Sequence, residues 1–459
     1  MADSFVDRVR SRTQRSRAVY EEARLVMPGG VAANTKAISP YPLYFDKAQG
    51  AYLTDIDGNT YIDLVMGLGI HILGHAPASV MTAVRERLSS GTLPGMATEL
   101  EVELARKVRR HMPYAEMVRF VNSGTEATLM ALRVARAYRK RDKIGKFEGN
   151  YDGQHDLVQV STNTVAGPVD APEPSLNHIG VARSTLRDLV ILPYNDPDRA
   201  AALITAHADE LAGVIMEPVA GFGMGCVPAT REFLGAIREV TAEHGIPLIL
   251  DEVVTNFRLG LGGAGEYYGV KPDLVTLGKI LGGGFPIGGY GGRRDLMERF
   301  VTLTGRPSDR SEKISQSGTF SGNAVSMAAG LATITVLEEG AAAFYARLDA
   351  LTERLTGGLK KLAGGQGIAL AITGARSMFQ LHFGLERLTS LRERGGEDAA
   401  RATEFSHGLL AGGVFAVPRP WFMSAAHTER DVDKILEIAD VVLAEIKRAK
   451  PAGVAGGQT

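Results

Sequence analysis

Three short apolar runs, each ending on a charged residue, constrain this chain more than any other feature. Leu211-Ala-Gly-Val-Ile-Met216 runs into Glu217-Pro218, and Ile246-Pro-Leu-Ile-Leu250 runs into Asp251-Glu252. The run that follows Asp273 ends at Lys279. Stretches with helical patterning, such as residues 231–240, lie between them. Apolar strands alternating with helices specify βαβ units and a parallel sheet buried on both faces. In open α/β sheets, ligands bind outside the carboxyl ends of the strands. Glu217, Asp251 and Lys279 would then line one crevice. Each carboxylate alone reads equally well as a helix N-cap, and the lysine alone as a surface lysine. The three together favour a site.

Glycines crowd behind the lysine, in Lys279-Ile-Leu-Gly-Gly-Gly-Phe-Pro-Ile-Gly-Gly-Tyr-Gly-Gly292, so little bulk stands between its amine and a bound molecule. An amine so placed is a candidate Schiff-base nucleophile, the role lysine plays with carbonyl substrates and pyridoxal phosphate. Upstream, Met117-Val-Arg-Phe-Val121 reads as a strand, Asn122-Ser-Gly-Thr125 as a tight turn, and residues 126–136 as an amphipathic helix. This arrangement presents free N–H groups and the positive end of a helix dipole, with hydroxyls from Ser123 and Thr125 beside them. That suits a phosphate. An ordinary capped turn uses the same residue types; the company of Asp251 and Lys279 favours the phosphate.

Competing motifs fail on context. Gly260-Leu-Gly-Gly-Ala-Gly265 matches a dinucleotide fingerprint, but no strand precedes it closely and no helical pattern follows. No Gly-Lys precedes Ser or Thr, so there is no P-loop lysine. His71 and His75 read as loop or packing residues, and no metal site is expected. The chain has 459 residues and a formal net charge of −1, which leaves no footprint for nucleic acid or a membrane surface. Its single cysteine, Cys226, excludes an internal disulfide and fits a reducing, cytoplasmic setting. Residues 1–17 read as a solvated first helix. Asp55-Ile-Asp-Gly-Asn59 reads as a hairpin turn. Residues 161–180 are rich in Pro, Ser and Asn without periodicity, which suggests a lid over a site.

Six stretches carry a resemblance: Val121-Asn-Ser-Gly-Thr-Glu-Ala127, Phe147-Glu-Gly-Asn-Tyr151, Glu217-Pro-Val-Ala-Gly221, Asp251-Glu-Val-Val-Thr-Asn-Phe-Arg258, Leu277-Gly-Lys-Ile-Leu-Gly-Gly-Gly284 and Ser317-Gly-Thr-Phe-Ser-Gly-Asn323. In this order they resemble the class III pyridoxal-phosphate aminotransferases of fold type I, within them the group containing glutamate-1-semialdehyde aminomutase. The resemblance implies an α/β fold, with a mostly parallel sheet in a large domain and a smaller α+β domain built from both termini. Residues 1–65 would begin the small domain, 66–326 form the large domain and 327–459 complete the small one.

The resemblance also implies roles. Lys279 would hold pyridoxal 5'-phosphate as a Schiff base and Asp251 would pair with the pyridine nitrogen. Val253 would pack under the ring, Tyr151 over it, and Glu217 beside it. Ser123, Gly124 and Thr125 would hold the phosphate. Thr319 would reach the phosphate of a neighbouring subunit, which implies a homodimer with shared sites.

Departures from the aminomutase pattern point to substrate. Lys36 stands where that enzyme has an arginine, and Phe222 stands where it has an asparagine that touches the cofactor. Tyr151-Asp152-Gly153 replaces the common Tyr-His-Gly, and Val417-Pro-Arg-Pro-Trp-Phe-Met-Ser424 shortens an acidic segment. Arg419 is the foremost carboxylate-binding candidate, with Arg258 and Lys36 behind it; the alternative for Arg419 is a surface arginine. Phe222 and Trp421 suggest an apolar or aromatic substrate, or equally core packing. The expected activity is transamination between an amino donor and a keto-acid acceptor. An aminomutase is the first alternative, a racemase or epimerase the second, and a cofactor-free binding protein a third.

Overall fold

The computed structural model describes residues 4–300 and 313–448. Seven strands form the central sheet, in the spatial order Met117–Val121, Gly288–Gly292, Leu274–Gly278, Leu248–Asp251, Leu211–Met216, Lys143–Phe147 and Leu189–Leu192. Gly288–Gly292 runs antiparallel to both neighbours, and the remaining pairings are parallel. Strands Leu189–Leu192, Leu211–Met216, Leu248–Asp251 and Leu274–Gly278 are buried at every position, because helices cover both faces. Their apolar runs are therefore continuous rather than alternating.

The antiparallel strand is Gly-Gly-Tyr-Gly-Gly for a steric reason. A Cβ on Gly288 would stand 2.0 Å from the Ser123 carbonyl oxygen, and one on Gly292 2.2 Å from that of Asp273. Only glycine lets this strand approach the turn that opens helix Gly124–Arg139. Ser123 caps that helix, accepting from Glu126 N–H at 3.2 Å.

A second sheet joins the two ends of the chain. Phe45–Gln49, Tyr52–Asp55 and Thr60–Asp63 form an antiparallel meander, and Val414–Phe415 adds to it in parallel. The turn at Asp55–Asn59 closes as a hairpin, with Asp55 Oδ1 accepting from Asn59 N–H at 2.7 Å. Leu370–Ala375, Met378–Phe383 and Trp421–Phe422 make a third sheet. Val414–Phe415 is thus the strand through which the last third of the chain pairs with residues 60–63.

Two expectations need correction. The Gly260–Gly265 run does enter a helix, Gly263–Tyr268, although turns rather than a strand precede it. The amino-terminal stretch forms two helices, Phe5–Arg12 and Gln14–Val26, and it is not wholly solvated: Phe5 and Val9 are buried. No single helix among the described residues is long and apolar enough to cross a membrane.

Candidate active site

The sheet delivers its charged residues to one edge. Glu217, Asp251 and Lys279 follow consecutive parallel strands, and they line a cavity of about 370 Å³ with Ser123, Gly124, Thr125, Tyr151, Asp152 and Val253. Lys279 sits at φ +48, a left-handed conformation that costs a non-glycine residue on the order of 1 kcal/mol. It turns the side chain into the cavity. No hydrogen bond or ion pair holds its amine among the described residues; the Phe222 ring centroid lies 5.2 Å away. Desolvation pushes the amine below the usual lysine range, and the Asp251 and Glu217 carboxylates partly oppose that.

Asp251 is oriented through one oxygen. Val253 N–H donates to Oδ1 at 3.0 Å and the Thr276 hydroxyl at 2.8 Å, while Oδ2 receives no protein hydrogen bond among the described residues. Burial, then the nearby Asp152 carboxylate, raises this carboxyl to about 6. Glu217 accepts from Tyr151 N–H at 2.9 Å, and burial lifts it well above the carboxylate range. Tyr151 and Phe222 meet edge to face at 6.3 Å, and Gln154 Nε2 donates to the Tyr151 hydroxyl at 2.7 Å.

These features fit pyridoxal phosphate. An unpartnered amine, a buried carboxylate with one free oxygen, an aromatic ring and a helix N-terminus surround one cavity, as a carbonyl, a ring nitrogen, a ring face and a phosphate require. Gly124 belongs to the fit: a Cβ there would stand 2.7 Å from Val253, the residue assigned to the ring face.

The substrate candidates separate. Phe222 stands at the lysine. Lys36 is exposed and lines a second cavity of about 670 Å³, mostly apolar, which shares Ile70 with the first. Arg419 does not reach the cofactor cavity. Its guanidinium donates to the Thr35 carbonyl at 2.7 Å, which ties down the segment that carries Lys36. Arg258 was expected to bind substrate, but it is fully buried and donates to Gly69 O at 2.7 Å and Ser377 Oγ at 2.9 Å. It braces the core. Trp421 is likewise a core residue, packed on Phe379 with its indole N–H donating to Val417 O at 2.8 Å. Thr319 is exposed, away from this chain's own cavity lining.

Sequence reasoning missed the layer behind the cavity. Lys146 is fully buried, 3.3 Å from Asp152, and donates to the Asn150 carbonyl. Strand Lys143–Phe147 carries two lysines, and nothing in the sequence marks Lys146 as the buried one. Residues 161–180 fold as an irregular loop: Ser161 N–H donates to Ser175 O, and Arg392, paired with Glu148 at 2.6 Å, donates to Gly167 O at 3.0 Å.

Comparison with known proteins agrees with this geometry. The model of the aminotransferase class-III family matches residues 33–419. A glutamate-1-semialdehyde 2,1-aminomutase from Methanothrix thermoacetophila is 42% identical, over 92% of this chain and 95% of its own. Its counterpart from Methanothermobacter thermautotrophicus is 40% identical, over 94% and 100%. Among solved structures, an omega-transaminase from Sphaerobacter thermophilus superposes with a TM-score of 0.87 at 34% identity, covering 94% of this chain and 98% of that one. A beta-phenylalanine aminotransferase from Variovorax paradoxus gives 0.84 at 31%, covering 97% and 98%. This chain belongs to the class-III aminotransferases, a pyridoxal-phosphate-dependent family.

Proposed function

We propose that this enzyme transfers an amino group between an amino donor with an apolar side chain and a keto acid. One observation carries the reading: the mostly apolar 670 Å³ cavity that meets the cofactor cavity at Ile70 and has Lys36 in its wall. Such a chamber suits a hydrocarbon or aromatic group, with the lysine ammonium as a single-point contact for a carboxylate.

The chain's own residues have defined tasks. Lys279 would attach the cofactor through its amine, and Ser123, Gly124 and Thr125 would hold the phosphate at the helix N-terminus. Val253 and Tyr151 would sandwich the ring. Asp251 would hold a proton on the ring nitrogen through its free Oδ2, and the bound cofactor supplies the electron sink for the reacting carbon. Displaced by the substrate amine and with its proton affinity lowered by desolvation, Lys279 would take the proton from the substrate Cα and deliver it to the carbon it had held, rather than back to Cα. Phe222 and Tyr151 would exclude water on that side.

A second reading, glutamate-1-semialdehyde aminomutase, draws on the names of the curated relatives, which favour it over transamination. The test is to supply glutamate-1-semialdehyde with no keto acid, and separately a panel of amino donors with one. Efficient 5-aminolevulinate formation in the first assay would overturn transamination. Turnover of apolar donors only when a keto acid is present supports it. The homodimer implied by the resemblance is part of the proposal: Thr319 and Phe320 stand exposed, Phe320 at 61%, as residues reaching a neighbouring site would.

A further inference from the structure

The cavity contains more buried charge than the assigned roles use. Asp152 is wholly inaccessible, stands at φ +51 and lines the cofactor cavity, and neither carboxylate oxygen has a hydrogen-bond partner. A buried carboxylate without hydrogen bonds is costly and needs a compensating charge. Lys146 Nζ, 3.3 Å away and also fully buried, is that charge. One of the ammonium's three N–H groups donates to the Asn150 carbonyl, and its charge faces Asp152 at 3.3 Å. The groups that face this pair are Glu217 and Asp251 at the strand tips, Lys279 across the cavity, and His155, which burial and Lys146 keep neutral.

Fixed charge around the ring therefore depends on Asp152. With it, Lys146 is neutralised locally, and Asp251 acts on the ring nitrogen with its charge uncancelled. Without it, an uncompensated ammonium would stand beside the same carboxylates in a low-dielectric pocket, where charges act over long range. We propose that Asp152 is a positioning residue for the cofactor nitrogen: it occupies the Lys146 ammonium and so reserves the Asp251 carboxylate for the ring. This rests on the reading of Lys279 and Asp251 as the cofactor's holders.

The experiment uses holoenzyme reconstituted with cofactor labelled with ¹⁵N in the ring, following the nitrogen chemical shift against pH and the visible absorbance in parallel. In Asp152→Asn the nitrogen should lose its proton about one pH unit below wild type. The double variant Lys146→Met/Asp152→Asn, which removes both charges, should return the titration to the wild-type position. Asp152→Ser serves as a second neutral substitution should the asparagine variant not fold. A ring nitrogen that titrates as in wild type in the folded neutral variant, or a double variant that does not restore it, overturns the proposal. A wild-type protein that binds no cofactor, or a Lys279→Ala variant that keeps the covalent absorbance, removes the underlying assignment and this inference with it. That outcome is read before any Asp152 variant is made.

Discussion

The Thr276 hydroxyl donates to Asp251 Oδ1 at 2.8 Å, from the adjacent parallel strand where the two residues stand in register. Sheet pairing thus aims the carboxylate and leaves its second oxygen for a ligand. Thr276→Val keeps the shape and removes the donor. A hydrogen bond to a charged group contributes about 1.5–3 kcal/mol, so cofactor retention should weaken roughly tenfold. Titration of cofactor-free protein, followed by visible absorbance, measures it. Unchanged affinity would mean that Val253 N–H alone sets the orientation.

Asp251 also predicts a pH dependence. In the cofactor-free protein its carboxyl is raised to about 6, whereas an unfolded aspartate titrates near about 4. Between those values the folded chain binds more protons than the unfolded chain, so stability falls as pH rises through the window. Asp251→Asn keeps an acceptor for Val253 and Thr276 without the charge. Cofactor-free Asp251→Asn should therefore melt above cofactor-free wild type above about pH 6, and the gain should shrink toward about pH 4. Calorimetry across that range decides; a pH-independent difference would remove ionisation from the explanation.

Lys279 has no partner to hold its amine among the described residues, so its removal should leave the fold intact. Lys279→Ala should lower turnover by about a thousandfold or more, as loss of a general base does, and abolish covalent cofactor attachment. Mass spectrometry after borohydride reduction reads the attachment directly. A cofactor adduct on another lysine would overturn the assignment.

Lys36 is the cation of the apolar chamber. Lys36→Ala should raise KM for donors that carry a carboxylate and leave donors without one unaffected, with kcat little changed for either. Equal effects on both classes would place the carboxylate elsewhere.

Arg258 should behave as a core brace. Its guanidinium is buried, held by Gly69 O and Ser377 Oγ, and burial lowers it to about 10. Arg258→Met would leave those acceptors unsatisfied and should cost about 3 kcal/mol of stability, visible as a lower Tm with and without substrate. A variant of wild-type stability but raised KM would restore it to the substrate site.

Much of this architecture was legible because burial writes itself into sequence. A strand covered on both faces must be apolar throughout, so Leu211–Met216 is seen in the structure with the limits its residues suggested. The half-buried Met117–Val121, which carries Arg119, keeps its limits through the Asn122–Thr125 turn that follows it. Charged residues just past such strands have one place to go, and Glu217, Asp251 and Lys279 went there. Asp152 was visible only as a departure from a common pattern, because its partner Lys146 lies on strand Lys143–Phe147 and reads, in sequence, as one more lysine.

The sequence by itself determined the parallel sheet, the glycine turn beneath Ser123 and the lysine at a strand tip, since hydrophobic period and glycine sterics act over a few residues. Only the tertiary structure decided which charges share a cavity. Arg258, seven residues beyond Asp251, was drawn into the core by carbonyls at Gly69 and Met423. Arg419 was captured by Thr35 from nearly the far end of the chain, and Lys146 and Asp152 were closed together behind the ring site. Desolvation and charge pairing depend on neighbours in space, and those neighbours are set only once the chain has folded.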